Sequence, residues 1–581
     1  MVHKRKRPPD ERECVVKCCL KRSLHIQSVI PLIEKYVINS SRIFHHGTLL
    51  VNHYVCDMFR RGVHIEEFKF LSDQMFFYNA FCLVAQPVKE RKYSDLFRFY
   101  TEKSDLYPED IGRMKSDGPI LNAAAKQITT NVATYLQVNF ARRLFRVIKA
   151  SMSQYVGKGT LNAIKWIVMG MPRYAAHRVL NQEQTVLVRQ LRTLLLGEDV
   201  ADDVEIDNKW LSKHPERILY FFWWILERIR SDGLKVKSFN LLPVMSQKRH
   251  FIAISADVLK ELLICTEVVP EKINKKVFQD LIDEHRTSMF RTPRNSKLGN
   301  TIETDGVSVC FHVLKTVKSA APPVKKSKSK KKSEYPPKPE NMMKEKVVAV
   351  DPGRCNIAST VQLNIDGSWK KCCLTRKQFY RDSHVTSNKK KMERLDKRFI
   401  PAEMASLSEC ISKTSDIPMF ENYLAKKKNF DKRLWKHRFE RCFGLMAMDN
   451  YIHKKKTIDK FWQHTVGLKS DMVVAYGDAG FSSNGRGELS VPTCKMKGAA
   501  GRLSPLFMVD ENRTSKTCCE CGKDLLGIKV PGSPKPLRAV RRCGSNECRE
   551  VSLKSRDWSA AINIFWRFTE PNRVPWLFGA A

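Results

Sequence analysis

Lys346-Val347-Val348-Ala349-Val350-Asp351-Pro352-Gly353 is the stretch from which this chain is most readily read. Four apolar residues in a row, three of them valine, predict a short strand buried on both faces. Asp351 closes it and Pro352-Gly353 turns the chain. A carboxylate there is either a turn former or one arm of a site for a hard cation. Just downstream, Ile357 to Asn364 and Trp369 to Thr375 flank Ile365-Asp366-Gly367-Ser368, which predicts a β-hairpin. Residues 377–465 read as helical and strongly basic. Within them Trp435, Phe439, Cys442, Phe443 and Met446 recur at helical spacing as one core-facing stripe. Lys432, Arg433, Lys436 and Arg441 fall on the opposite face, where they can track phosphates. Met472 to Tyr476 and Pro505 to Val509 are two further expected strands.

Two more acids stand at element ends. Asp510-Glu511 follows the last of these strands, and Asp557 opens a helix of small and apolar residues, Asp557 to Ile564. Carboxylates at neighbouring strand ends and a helix start can converge on two Mg2+ ions roughly 3.5–4 Å apart, an arrangement that activates water and steadies the leaving oxygen of a phosphodiester. Taken singly, Asp351 reads equally as a turn former and Asp557 as a helix N-cap. Between Glu511 and Asp557 lies Cys518-x2-Cys521, and 21 residues later Cys543-x4-Cys548. Two thiolate pairs on tight turns complete a tetrahedral S4 shell, a closed structural Zn2+ site. Gly522 and Gly544 suit the knuckle turns, and Cys519 is the spare. Against this, Cys543 and Cys548 can be read as ordinary free thiols.

Composition narrows the partners. The 581 residues carry 102 Lys and Arg against 61 Asp and Glu, a net charge of +41. Such a charge repels itself unless a polyanion neutralises it, and nucleic acid does so by counterion release. Hydrophobic residues at 43% suffice for real cores and exclude wholesale disorder. The longest apolar run, Ile218 to Leu226, is far short of the ~20 residues of a membrane span. No membrane partner is expected. The charged start, MVHKRKRPPD, has no apolar core of a secretory signal, so the 18 cysteines are read in a reducing compartment. Lys4 to Arg7 and Lys325 to Lys332 have the composition of nuclear-import runs, which suggests the nucleus.

Before residue 318 the pattern is a helical lobe within a small β domain. Residues 120–230 have helical spacing, with Leu219, Phe222, Trp223 and Leu226 as a bulky core face. β-type patterns follow over 236–254 and 304–314, the second alternating Val307, Val309, Phe311 and Val313 after Asp305-Gly306.

Val350-Asp351-Pro352-Gly353, Thr514-Ser515-Lys516-x-Cys518-x2-Cys521-Gly522, Cys543…Cys548 and Ser555-Arg556-Asp557-x-Ser559-Ala560-Ala561-x-Asn563-Ile564 together resemble the RuvC-like nuclease core of transposon-encoded TnpB proteins, and most of all their eukaryotic relatives, the Fanzor proteins. The resemblance covers roughly the last 235 residues. It implies a multidomain α+β protein: an RNase H-like (RuvC) core with an inserted zinc ribbon, and an N-terminal wedge β-barrel carrying a helical recognition lobe. The boundaries then read 1–60 tail and first wedge part, 61–232 recognition lobe, 233–317 second wedge part and 318–345 basic linker. The core follows at 346–515, the zinc ribbon at 516–550 and the end of the core at 551–581.

By this resemblance the chain is an RNA-guided, Mg2+-dependent DNA endonuclease, monomeric in a ribonucleoprotein, that cuts DNA selected by pairing with a guide RNA beside a short adjacent motif read by the protein. Asp351, Glu511 and Asp557 become the catalytic, Mg2+-holding acids, and Cys518, Cys521, Cys543 and Cys548 the Zn2+ ligands. The wider family carries its middle acid at the end of the strand that here reads Val473 to Ala479, which has no glutamate. Glu511 takes that place in Fanzor-like sequences; Asp478 and Glu488 are its rivals. Arg556 is either a phosphate contact or a surface arginine. The competing readings are a nuclease-dead RNA-guided DNA-binding regulator, an RNase H-like transposase working without a guide, and a zinc-ribbon nucleic-acid-binding module without enzymatic function.

Overall fold

The computed structural model describes residues 11–577 except 26, 86–92, 116, 153–155, 175–178, 198–203, 265–296, 317–342, 468–470, 481–490, 533–536, 546–547 and 549–552. Both lysine-rich runs, most of the expected linker and Glu488 lie outside the described residues. The chain is a mixed α+β protein of two compact units, Met1–Ala320 with Arg394–Leu445, and Ala321–Glu393 with Met446–Ala581.

The first unit holds an antiparallel sheet of β1 (Glu11–Cys19), β2 (Ile252–Ile254), β3 (Lys297–Thr304) and β4 (Ser308–Thr316) in the order β1-β4-β3-β2. Val309, Phe311 and Val313 of β4 are fully buried, as their alternation predicts. Gly306 turns the β3–β4 hairpin at φ +79°, and Asp305 Oδ1 accepts the N–H groups of Val307 (3.0 Å) and Ser308 (2.7 Å). Among the described residues these four strands form one sheet with no pairing of β1 with β2.

The helices between β1 and β2 include Ile30–Arg60, Gly118–Ala150 and Pro215–Ser231, the last burying Leu219, Phe222 and Leu226. Residues 236–251, expected as strand, form none. They spend their N–H groups on side chains of the helix Ile30–Arg60: Leu242 on Asn52 Oδ1 (2.9 Å), Met245 on Thr48 Oγ1 (3.1 Å) and His250 on Ser41 Oγ (3.0 Å). A strand partner is not needed once those donors are satisfied.

Residues 394–445, expected in the nuclease core, belong to this first unit. The reason is buried: Asp431 of the helix Ile417–Arg438 accepts Arg42 Nη2 at 2.6 Å and faces His46 Nε2 at 2.7 Å. Removing one partner from such a set strands a charge in the interior. The expected aromatic stripe is cut short as well. The helix ends at Arg438, Trp435 and Phe439 stack in the core at 5.1 Å, and Cys442 is exposed.

The second unit is built on β5 (Val347–Pro352), β6 (Asn356–Leu363), β7 (Trp369–Thr375), β8 (Val473–Gly477) and β9 (Leu506–Val509), in the order β7-β6-β5-β8-β9. The first three are antiparallel neighbours; β8 and β9 run parallel to β5. Gly367, at φ +81°, turns the β6–β7 hairpin where the sequence places it. Parallel pairing demands a crossover, and the helix Thr493–Leu503 supplies it between β8 and β9. Every residue of β5 is buried. Val348, Val350, Val474 and Tyr476 pack with Ile458 and Trp462 on one face. Val347, Ala349, Ala475 and Val509 pack with Ile564 and Phe565 of the helix Arg556–Thr569 on the other. Strands β10 (Leu525–Gly527), β11 (Val540–Cys543) and β12 (Leu553–Ser555) form a small antiparallel sheet whose last strand leads straight into that helix. Among the described residues no helix is long and apolar enough to cross a membrane.

Candidate active site

Three parallel strands end along one edge of the five-stranded sheet, and the acids gather there. Val350 lies beside Tyr476, so one step further along the register Asp351 lies beside Gly477. Asp351 is 6% exposed. It shares its sheet face with Val347 and Ala349, the face that the helix Arg556–Thr569 covers. Asp557 is the second residue of that helix; Ser555 holds the N-cap position, so capping is not the role of Asp557. Its carboxylate accepts Asn356 Nδ2 at 2.8 Å on Oδ2 and Arg556 Nη2 at 2.7 Å on Oδ1. Arg556 is thereby committed to its neighbour.

Glu511 reaches the same place by an indirect route. It stands two residues beyond β9, and its side chain folds back over the end of β8, where the Ala479 N–H donates to Oε1 at 3.0 Å. A Cβ on Gly477 would lie 2.7 Å from Glu511 Cδ and closer still to Oε1. The carboxylate of Glu511 therefore fills the space that a side chain at position 477 would fill, beside Asp351. Asp478 does something else. It is exposed, and its Oδ1 accepts the Glu511 backbone N–H at 3.3 Å, bracing the turn. Asp510 pairs with Arg567 at 2.7 Å.

The electrostatics agree with this convergence. Burial pushes the Asp351 carboxyl well above the usual carboxylate range, and the charges of Glu511 and Asp557 push it further, against the pull of Arg556. Burial raises Glu511 to about 7; the Ala479 N–H opposes this, Asp478 adds to it, and Lys497 opposes it. In a chain of +41 this is a spot where negative charge accumulates without enough cation to match it. The three carboxylates face one another but do not close on one point. Among the described residues, only two groups of His, Cys, Asp or Glu bring ligand atoms within 4.8 Å of one another, and this trio is neither.

The sign of the pH effect follows. A carboxyl whose folded pKa is raised binds its proton more tightly in the native state. The stability it contributes is full below its unfolded value and lost as pH rises through about 7 for Glu511. Metal-free wild type should therefore lose stability relative to Glu511→Gln as pH rises from about 4.5 to 7. Paired urea titrations across that window check it; a pH-independent difference between the two proteins counts against a proton held on Glu511.

The four sulfurs of Cys518, Cys521, Cys543 and Cys548 all lie within 4.8 Å of one another. Cys518 Sγ is 3.8 Å from Cys548 Sγ, and Cys521 Sγ is 3.4 Å from Cys543 Sγ. Sulfurs at the corners of a ZnS4 tetrahedron are about 3.8 Å apart, so this cluster can bind zinc after small adjustments. Cys519 is not one of the four and packs, partly buried, against the core cluster that includes Ala561 and Phe565. Gly522 takes φ +74°, and the Trp576 ring covers it so closely that a Cβ would strike Cδ2 at 2.5 Å. Cys543→Ser should lower the zinc content by one equivalent per chain, read by elemental analysis. Loss of that zinc should also lower the thermal midpoint, since metal binding here is folding free energy.

Two positioning residues escape sequence reasoning. Asn563 is fully buried, and its Nδ2 donates to the carbonyls of Thr514 (2.8 Å) and Thr517 (3.0 Å). It ties the segment between Glu511 and the cysteines to the helix that carries Asp557. An asparagine among Ala560, Ala561, Ile562 and Ile564 is the visible signal. Asn356, which holds Asp557, carries no signal at all. Compared with known proteins, no family model matches the chain, and no curated protein matches it either.

Proposed function

We propose that this protein is an RNA-guided DNA endonuclease with a RuvC-like core. The observation that carries the reading is the position of Asp351 and Glu511 at the ends of parallel strands of a mixed sheet, with Asp557 at the start of the helix that covers that face, in the same unit as a four-cysteine cluster. Carboxylate oxygens are the donors that magnesium prefers, and three under-neutralised carboxylates fit it. Magnesium bound there supplies the positive charge for hydrolysing a phosphodiester. Asp351, buried between the other two, would orient the site from its floor. Asn356 and Arg556 hold Asp557 in line, and the Ala479 N–H holds Glu511. Four cysteines binding zinc would stiffen the segment that separates Glu511 from Asp557. The net charge of +41 supports an RNA and a DNA partner, and the lysine-rich runs support a nuclear location.

Purification of the full chain from cells, sequencing of the RNA that travels with it, and cleavage of a plasmid carrying the complementary sequence in Mg2+ test the reading. One RNA species of defined length and Mg2+-dependent linear plasmid are expected. No bound RNA overturns the guided part; products joined to new DNA ends would instead mark a transposase. The carboxylates' failure to close to 4.8 Å favours one second reading, a guided DNA-binding protein that does not cut. Defined RNA with tight target binding and intact plasmid would select it.

A further inference from the structure

We propose that His384, Asp449 and His453 form a second transition-metal site, separate from the carboxylates and the cysteines, that takes a borderline divalent ion of the zinc class. His384 sits in the turn between the helices Arg376–Asp382 and Val385–Phe399; Asp449 and His453 share one face of the helix Arg441–Val466 at a spacing of i, i+4. Their ligand atoms all lie within 4.8 Å of one another. His384 Nδ1 is 2.9 Å from Asp449 Oδ2, and His453 Nδ1 is 3.0 Å from Asp449 Oδ1. Each oxygen of one carboxylate thus faces one imidazole nitrogen. The two rings stack at 3.8 Å, 26° from parallel. Zinc at about 2.0–2.1 Å from N and O ligands sets neighbouring ligand atoms roughly 3.3 Å apart, so each nitrogen–oxygen contact opens by a few tenths of an ångström and the stacked rings turn to aim both nitrogens at one ion.

Two independent features point the same way. His384 is one of two non-glycine residues among those described with positive φ, at 60°. Strained backbone of this kind is stored where a side chain must be presented in one direction. The carboxylate is also held from behind. Asn388, 2% exposed on an otherwise polar helix, donates its Nδ2 to Asp449 Oδ2 at 2.9 Å, the outer support that metal-binding carboxylates commonly have. The three ligands keep partial exposure, 45%, 35% and 29% in chain order, so an ion can enter and solvent can fill the remaining positions. Lys454, Lys455 and Lys456 follow immediately. Among so many cations a purely electrostatic Mg2+ site gains little, whereas nitrogen donors bind a zinc-class ion by coordination. Such an ion would clip the turn at His384 to the long helix, 65 residues further on.

Metal titration of the full-length chain tests this. Asp351→Asn serves as the background, so that the carboxylate centre is taken out of the count, and the cysteines are first loaded with zinc. Co2+ is then added and followed by calorimetry and visible absorption. One further equivalent is expected, with the spectrum of nitrogen and oxygen ligands and no sulfur charge-transfer band. Asp449→Asn and His453→Gln should each weaken that equivalent at least tenfold. His384→Asn should do the same while keeping the fold, because asparagine tolerates the left-handed conformation. Saturation without a further equivalent in the unmutated trio overturns the proposal and leaves a hydrogen-bonded clamp. So does a further equivalent that survives all three substitutions.

Discussion

Asp351→Asn should abolish Mg2+-dependent DNA cleavage, by roughly a thousandfold or more, while making the metal-free protein more stable than wild type. Both halves come from the same burial. The carboxylate is held where its charged form is disfavoured, by desolvation first and by Glu511 and Asp557 after that. Asparagine keeps the shape and removes the charge, so the fold sheds a repulsion. A cation that needs the carboxylate loses its central ligand. Cleavage kinetics and thermal unfolding in EDTA read the two effects separately. Lost cleavage with unchanged or lower stability would mean that Asp351 is structural rather than a poised ligand. Unchanged cleavage would remove the nuclease centre from this place altogether.

Gly477→Ala should cost nearly as much activity, about a hundredfold or more, with a stability change within about 1 kcal/mol. Gly477 has no positive φ, so alanine fits the backbone. Its methyl group has nowhere to go except into the Glu511 carboxylate, which lies within 2.7 Å of that point at Cδ. The end of a flexible side chain will yield, and the carboxylate will swing away from Asp351. The reverse exchange makes the argument strict. Gly477→Glu with Glu511→Ala puts a carboxylate back on the same face from β8 itself, and it should recover part of what Gly477→Ala loses. A Gly477→Ala protein that cuts at the wild-type rate would show that the position of Glu511 does not matter. Asp478→Asn should matter much less, because its Oδ1 braces a backbone N–H and an amide oxygen can do the same.

Much of this unit is legible in local sequence. Val347 to Val350 must be a strand because a run of apolar, mostly β-branched residues fits little else. Asp366-Gly367 must turn, and Cys518-x2-Cys521 must present two sulfurs to one side. These follow from residues a few positions apart, whose geometry the backbone alone dictates. The stripe from Trp435 to Met446 failed for the same reason in reverse: periodicity carries on past Arg438, but the helix does not. The segment 394–445 was misplaced because nothing near Asp431 in sequence announces Arg42 and His46, nearly 400 residues earlier.

For the acids, sequence alone determined which residues stand at the ends of β5 and β9 and at the start of the last helix, because strand ends and helix starts are local events. The resemblance put Glu511 ahead of Asp478 as the middle acid. Tertiary structure shows how the two side chains part, because the direction of a side chain at a strand end depends on the neighbouring strand. β9 lies parallel beside β8, Gly477 leaves its place empty, and Glu511 turns back to occupy it while Asp478 faces solvent.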